Sequence, residues 1–315
     1  MRQKMKGSII VLACICAVML LAPSCFAGLT PSSAPQKAIQ KNPSKQKAEA
    51  SQFWGLLFAV GEYLNAPDQN RPEMLTACDD LHSTLLSSPN YWQASQIHVV
   101  KTSQATLQQL IKELLWLRKN AKSEDYVLVF ITTHGGQLVH PNTGLPWDLP
   151  PKDESDGSDE VLAMYNGFVN WYGYIYDDML NFFLSIIKCK GLCLIVDSCY
   201  SGGFNDPAYN ALDKNKFTAQ SFVDGFVEDL AAPGRVVLMS CREDEVSYGT
   251  DFTDSLITGF QGWGDANIWP FSGNGDGIVS AEESFRGAKA WMDLFSDQHP
   301  TIADYFPGDF PVTYT

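Results

Sequence analysis

The sequence predicts an α/β fold: a mostly parallel central sheet with helices on both faces. Three observations carry that expectation. Several short runs are dense in Val, Leu and Ile with no period-two alternation, the pattern of strands buried on both faces. Segments with apolar residues at helical spacing separate them, as parallel strands joined by crossovers require. Hydrophobic residues make up 45% of the 315 residues against 18% charged, enough for one sizeable core.

Taken in order, Arg2, Lys4 and Lys6 precede an apolar stretch from Ile9 to Ala22, and Pro23-Ser24-Cys25-Phe26-Ala27 ends in a small residue. That is the layout of a secretory leader, residues 1–27, removed on export to a periplasmic, surface or secreted location. The apolar run is shorter than the roughly 20 residues a spanning helix needs, so no stable membrane span is expected after cleavage. Residues 28–51 are rich in Pro, Ser, Lys and Gln without apolar periodicity and form a spacer expected to be disordered. The folded domain is expected over 52–265, with 266–315 as an extension.

Within that domain, Phe53 to Val60 is a strand and Pro72 to Leu86 a helix. Ile97 to Lys101 is a short strand, and Ala105 to Asn120 a helix with Thr102 and Ser103 as candidate N-caps and Leu107, Leu110, Ile111, Leu114 and Leu117 on one face. Tyr126 to Thr133, Gly191 to Asp197 and Arg235 to Ser240 are further strands.

Charge and cysteine usage narrow the function. With 22 Lys and Arg against 36 Asp and Glu the net charge is −14, and loss of the leader makes it more negative. Nucleic acid is therefore excluded as a partner, while basic substrates and divalent cations suit the surface. Of eight cysteines, Cys78, Cys189, Cys193, Cys199 and Cys241 remain after the leader. Cys193 and Cys241 sit in or beside apolar runs as small hydrophobes, and no Cys and His spacing matches a zinc site.

In open parallel sheets the chemistry lies at the carboxyl ends of the strands. One strand runs out into His134-Gly135-Gly136 and another into Asp197-Ser198-Cys199-Tyr200-Ser201-Gly202. If those strands are neighbours, His134 and Cys199 emerge side by side, a base beside a thiol nucleophile. The amides of Gly135 and Cys199 are the candidate oxyanion hole.

These stretches resemble the caspase and legumain clan of cysteine peptidases, and within it the bacterial metacaspase-like members. The likeness extends over about 52–265. It includes Ala77-Cys78-Asp79-Asp80, His134-Gly135, Ser158-Asp159-Glu160, Ile175-Tyr176-Asp177-Asp178, the Asp197 to Gly202 stretch, and Ser240-Cys241-Arg242-Glu243-Asp244-Glu245. The resemblance implies a caspase-like three-layer sandwich and endopeptidase activity through a thioester. His134 would be the base and Cys199 the nucleophile, with no cofactor required for the chemistry. Protein or peptide substrates and a monomeric state are expected. It also implies that Asp80 and Asp197 form the pocket for the residue before the scissile bond, where two carboxylates favour Arg or Lys. Asparaginyl cleavage as in legumains, transamidation, and a non-catalytic binding module are the alternatives left open.

Two calcium sites are expected. The resemblance implies a regulatory one from Asp159, Asp177, Asp178 and Asp206, since clustered carboxylates are costly without a cation. Separately, Ser272 to Glu283 matches an EF-hand loop at most positions, with Asn274, Asp276, Ile278 through its carbonyl, Ser280 and Glu283 as candidate ligands. Ser272 replaces the usual first Asp.

Overall fold

The structure is a computed structural model. It describes residues 50–138, 140, 142–150, 152, 157–170, 172–200, 230–240, 250–296 and 298–315, with the side chains of 199 and 200 left out. The leader, the spacer up to residue 49, Asp206 and Cys241 lie outside the described residues. Among the described residues, no helix is long and apolar enough to cross a membrane.

The sheet is built on β1 (Phe53–Ala59), β2 (Ile97–Lys101), β3 (Tyr126–Gln137), β6 (Gly191–Tyr200) and β7 (Arg235–Met239), running in the order β2-β1-β3-β6-β7 with every neighbour parallel. This is the mostly parallel α/β sheet expected. All twelve residues of β3 are buried, which is why its sequence shows no alternation. Alternate residues nevertheless serve two cores. Val127, Val129 and Ile131 join Leu56, Phe58, Leu192 and Leu194 on one face, while Leu128 and Phe130 join Leu57, Cys193 and Ile195 on the other.

Helices cover both faces. On the first lie α2 (Leu107–Asn120), through Leu110, Leu114 and Leu117, and α3 (Asp177–Ser185), through Leu180, Phe183 and Leu184. On the second lie α1 (Glu73–Leu86), through Cys78, Leu81 and Leu85, α4 (Asp251–Thr258), through Phe252, Leu256 and Ile257, and α5 (Ala281–Phe295), through Phe285, Ala288 and Met292. Fully buried Phe58 and Phe130 each contribute about 1.5–3 kcal/mol by leaving water. The N-cap of α2 is Thr106, whose Oγ1 accepts the Gln109 amide at 3.3 Å, rather than Thr102 or Ser103. Those two residues occupy a short 3₁₀ turn ahead of the helix.

Short strands finish the sheet. β4 (Glu160–Ala163) pairs antiparallel with the end of β3 and with β5 (Tyr174–Tyr176). β9 (Thr301–Asp304) pairs antiparallel with β7, and β8 (Ile278–Ser280) with β10 (Pro311–Tyr314) in a separate two-stranded sheet. Residues 266–315, expected as an extension, therefore supply a strand of the main sheet and a helix of one core. They belong to one compact unit, Ser51–Thr315.

Candidate active site

Strands β3 and β6 are neighbours, and their register sets His134 directly opposite Cys199. The strand does not stop at Thr133, because β4 offers Leu162, Val161 and Glu160 as partners to Gly135, Gly136 and Gln137. Gly135 thus lies between Leu162 on one side and Tyr200 on the other.

The His134 side chain is 2% exposed and boxed by aromatic rings, with Tyr63 at 5.1 Å and Phe168 at 5.8 Å between centroids. Its Nε2 lies 2.8 Å from the carbonyl oxygen of Gln69. A carbonyl only accepts, so Nε2 carries the proton and the neutral ring keeps its lone pair on Nδ1. Nδ1 is buried and has no hydrogen-bond partner among the described residues. Burial lowers the His134 pKa, partly offset by the Gln69 carbonyl, with Arg71 adding to the lowering. The ring is thus a neutral base with one nitrogen tied to the backbone and the other bare.

The Gln69 carbonyl is placed by a tightly folded loop. Gly61 turns the chain at φ 59°, where a Cβ would meet Leu75 at 2.6 Å. The Arg71 amide returns to the Gly61 carbonyl at 2.7 Å, Asn70 Oδ1 accepts the Tyr63 amide at 2.9 Å, and Pro67–Gln69 closes as a 3₁₀ turn. Tyr63 reaches the strand itself. Its hydroxyl accepts the His134 backbone N–H at 2.9 Å and lies 2.9 Å from Thr133 Oγ1, which donates to the Ala163 carbonyl. With the Thr133 hydrogen so committed, the Tyr63 hydroxyl donates to Thr133 Oγ1, and the direction of every bond in the chain is fixed.

Three thiols lie among the described residues, Cys78 and Cys193 buried and Cys189 partly buried. Burial pushes Cys78 up to about 12 and Cys189 to about 11, and Cys193 is raised well above the ordinary thiol value. They are inert core residues.

The two expected pocket acids have different surroundings. Asp80, on α1, is exposed, while its neighbour Asp79 binds Lys101 Nζ through both oxygens at 2.7 Å. Asp197 is 3% exposed and accepts from the Thr253 hydroxyl of α4. Burial raises its pKa to about 6 against the lowering by the Thr253 and Ser240 hydroxyls. Asp254 sits electrostatically between them, since its charge adds to the rise at Asp197 and is itself felt against Asp80. Sequence reasoning did not single out Asp254; its place beside Thr253 on an amphipathic helix was the available signal.

Asp159, Asp177 and Asp178 converge, with one carboxylate oxygen from each within 4.8 Å of the others. Asp159 is 1% exposed; its Oδ2 accepts the Leu149 amide at 2.6 Å and its Oδ1 is buried without a partner among the described residues. Burial first, then the charges of Asp177, Asp148 and Asp178, push it up to about 7 despite the Leu149 bond. Asp177 accepts the Glu160 and Asp178 amides, both at 2.8 Å, so the cluster ties the start of β4 to the start of α3. An orphaned buried oxygen facing two further carboxylates fits a hard, oxygen-seeking dication.

In the EF-hand-like loop the candidate ligands are engaged in hydrogen bonds. Asn274 Oδ1 accepts the Asp276 amide at 2.8 Å and Asp276 Oδ1 the Ile278 amide at 2.9 Å. Glu283 Oε1 accepts the Asn274 amide at 2.9 Å, and its Oε2 the Ser280 amide at 3.1 Å in a capping box that starts α5. Asp265 from outside the loop accepts the Asp276 and Gly277 amides at 3.0 and 3.1 Å.

Residues 79–207, which hold both His134 and Cys199, match the family model described as "Metacaspase, peptidase C14 domain". That stretch is similar to a metacaspase peptidase domain. Metacaspase-1 of Candida albicans is 30% identical over 125 residues, 39% of this chain and 27% of that protein. Metacaspase-1 of Ajellomyces capsulatus is 33% identical over 109 residues, 34% of this chain and 28% of that one. The chain thus spans little more than a quarter of the length of these relatives. Among solved structures, caspase-1 of Spodoptera frugiperda is similar at a TM-score of 0.52 and 12% identity, covering 84% of this chain and 90% of that one. A Geobacter sulfurreducens protein is similar at 0.53 and 18%, covering 84% and 99%. Both likenesses concern the fold alone, and they agree with the caspase-like α/β sandwich expected.

Proposed function

We propose that this chain is a metacaspase-like cysteine endopeptidase using Cys199 as nucleophile and His134 as base, cutting after Arg or Lys. The observation that carries the proposal is the His134 ring, its Nε2–H donating to the Gln69 carbonyl and its Nδ1 unpartnered among the described residues, on a residue in register with Cys199. Nδ1 takes the thiol proton as sulfur attacks the scissile carbonyl carbon. The carbonyl oxygen gains negative charge, which amides at Gly135 and Cys199 would stabilise. Collapse of that intermediate expels the amine, protonated by His134, and leaves a thioester. Water, deprotonated by Nδ1, then attacks the thioester and releases the acid and the thiol.

Asp80 and Asp197 support basic specificity, because a cationic side chain would offset their charges and that of Asp254, which couples to each of them. Asp159, Asp177 and Asp178 would hold calcium, with Asp206 as the further expected ligand. The bound ion would neutralise crowded carboxylates and fix β4 beside the His134–Gly135 stretch. Export, through removal of residues 1–27, completes the reading.

The test is labelling of Cys199 by a peptidyl electrophile carrying Arg at its first position. Labelling is expected in the native chain and absent after His134→Ala or Cys199→Ala. Failure to label with or without calcium, together with no hydrolysis of Arg fluorogenic peptides, refutes the proposal.

A further inference from the structure

We infer that the groove between α4 and α5 is a second substrate subsite, taking a basic residue with an adjoining apolar or aromatic one from the same polypeptide that occupies the primary pocket. The inference rests on the peptidase reading and extends it to how long substrates are chosen.

The groove encloses about 380 Å³, within the range of about 300–1,000 Å³ usual for ligand sites. One wall is the solvent side of α4, with Asp251 and Asp254; none of the lining residues is basic. The groove's apolar lining includes Pro270, Phe271 and Trp291. Gly287 is what lets the Phe271 ring lie flat on α5, since any Cβ there would overlap it. Two carboxylates and a tryptophan lining one groove suit a guanidinium or ammonium, whose charge would meet the acids while its stem or face lies against the ring.

Beyond Trp291 the apolar lining continues as an exposed ledge. Trp291 contacts Phe295 at 5.6 Å and Phe295 contacts Trp269 at 6.2 Å, with Trp269 62% and Phe295 60% exposed. Aromatic residues left contiguous and open to water mark an interaction surface. Ledge and acids together demand an occupant that is cationic and apolar at neighbouring positions.

Position argues that the occupant is the substrate. The first turn of α4 touches the catalytic strand, because Thr253 donates to Asp197, two residues before Cys199. Asp254, the next residue, faces Asp80 and Asp197 electrostatically while also lining the groove. A chain leaving the primary pocket along α4 therefore meets carboxylates first and the aromatic ledge afterwards.

The test uses the full chain as Cys199→Ala, so that peptide is bound and not cut. A fluorescein-labelled dodecapeptide with Arg at the cleavage position and a distal Arg-Phe pair is titrated by anisotropy, beside the same peptide with Glu-Gly in the distal pair. Trp291→Ala and Asp251→Asn should each weaken the Arg-Phe peptide about tenfold and leave the Glu-Gly peptide within twofold. Equal affinity for both peptides, or no effect of either variant, overturns the subsite. So does a dimer in sedimentation that Trp291→Ala dissociates, because the ledge would then be covered by a second copy. Hydrolysis of a short Arg substrate by the native chain is measured in parallel. Its absence with selective peptide binding intact would sink the peptidase reading alone, and its presence without selective binding would sink the subsite alone.

Discussion

Tyr63→Phe isolates one oxygen in the scaffold of His134. Tyr63 is 4% exposed, and its hydroxyl accepts the His134 amide and donates to Thr133 Oγ1, both at 2.9 Å. Phenylalanine keeps the ring, and so the packing against His134 and Phe168, while removing both bonds. Each is worth about 1 kcal/mol net, and the buried amide left without an acceptor adds about 1–3 kcal/mol. The expected loss of stability is about 3–5 kcal/mol, at roughly 2–4 °C of melting temperature per kcal/mol for a domain of this size. Catalysis should suffer as well, because the lost acceptor lies on the backbone of the proposed base. We expect kcat to fall about tenfold or more with KM within about twofold, the pattern of an interaction felt in the transition state. Thr133→Val is the control. It breaks the relay beyond Tyr63 but leaves the bond to the His134 amide, so it should lower stability while sparing most of kcat. The assays are thermal unfolding by circular dichroism and hydrolysis of an Arg fluorogenic peptide. A Tyr63→Phe enzyme with native kcat, or one whose kcat falls no further than that of Thr133→Val, would refute the reasoning.

Other perturbations follow from the buried acids. Asp197, raised to about 6, must be ionised to hold a cationic side chain, so kcat/KM for Arg substrates should fall as pH drops through about 6. Asp197→Asn should remove that limb and lower kcat/KM by about tenfold or more at pH 8, the scale of one charge-assisted hydrogen bond of about 1.5–3 kcal/mol. Asp159, raised to about 7, must lose its proton to bind a dication, so calcium should raise the melting temperature more at pH 8 than at pH 6, and Asp159→Asn should abolish most of the rise. Glu282 is 5% exposed, accepts the Phe310 amide at 2.9 Å and is pushed up to about 7 by burial. A carboxyl whose folded pKa is raised contributes stability below its unfolded value that is lost as pH rises through the folded one. Glu282→Gln keeps an acceptor for Phe310, so it should flatten the decline in stability between pH 5 and 8; an unchanged slope would remove Glu282 as its source.

The central strands were legible because burial on both faces leaves an unmistakable mark: β1, β3, β6 and β7 are runs of apolar residues that no helix pattern interrupts. The pairing of His134 with Cys199 followed once those strands were taken as neighbours. Edge elements left no such mark. β4, β5, β9 and β10 are three or four residues long, too short for periodicity to speak. The glycines after His134 read as a strand end, yet β4 pairs with them and the strand runs on to Gln137. The Gln69 contact was invisible for a deeper reason. It is made by a backbone carbonyl, so no residue type encodes it, and the sequence offered only Pro67 in a loop rich in turn formers. In the C-terminal part a motif match drew attention to Asn274, Asp276 and Glu283, whose hydrogen bonds in the structure shape a turn and cap α5.

The acidic cluster and the proposed dyad are joined by one short strand, which would give calcium a route to the chemistry that does not require it near the reacting atoms. Asp159 immediately precedes β4, its backbone carbonyl takes the Leu138 amide at 2.7 Å, and Asp177 takes the Glu160 amide at the first residue of β4. The strand so anchored pairs with Gly135, next to His134. Without a cation, three carboxylates within 4.8 Å oppose the closure of this hairpin, and protonation of Asp159 is the other way to relieve them. Calcium at pH 8 should therefore slow hydrogen exchange of the Glu160–Ala163 amides by about tenfold while leaving those of β1 within about twofold, as expected when local opening and not global unfolding is suppressed. The same slowing should appear without calcium when the pH is lowered to 6, once rates are corrected for intrinsic exchange. Uniform slowing across β1 and β4 would mean that the cation acts on the whole fold, and β4 would then have no special part in linking the cluster to His134.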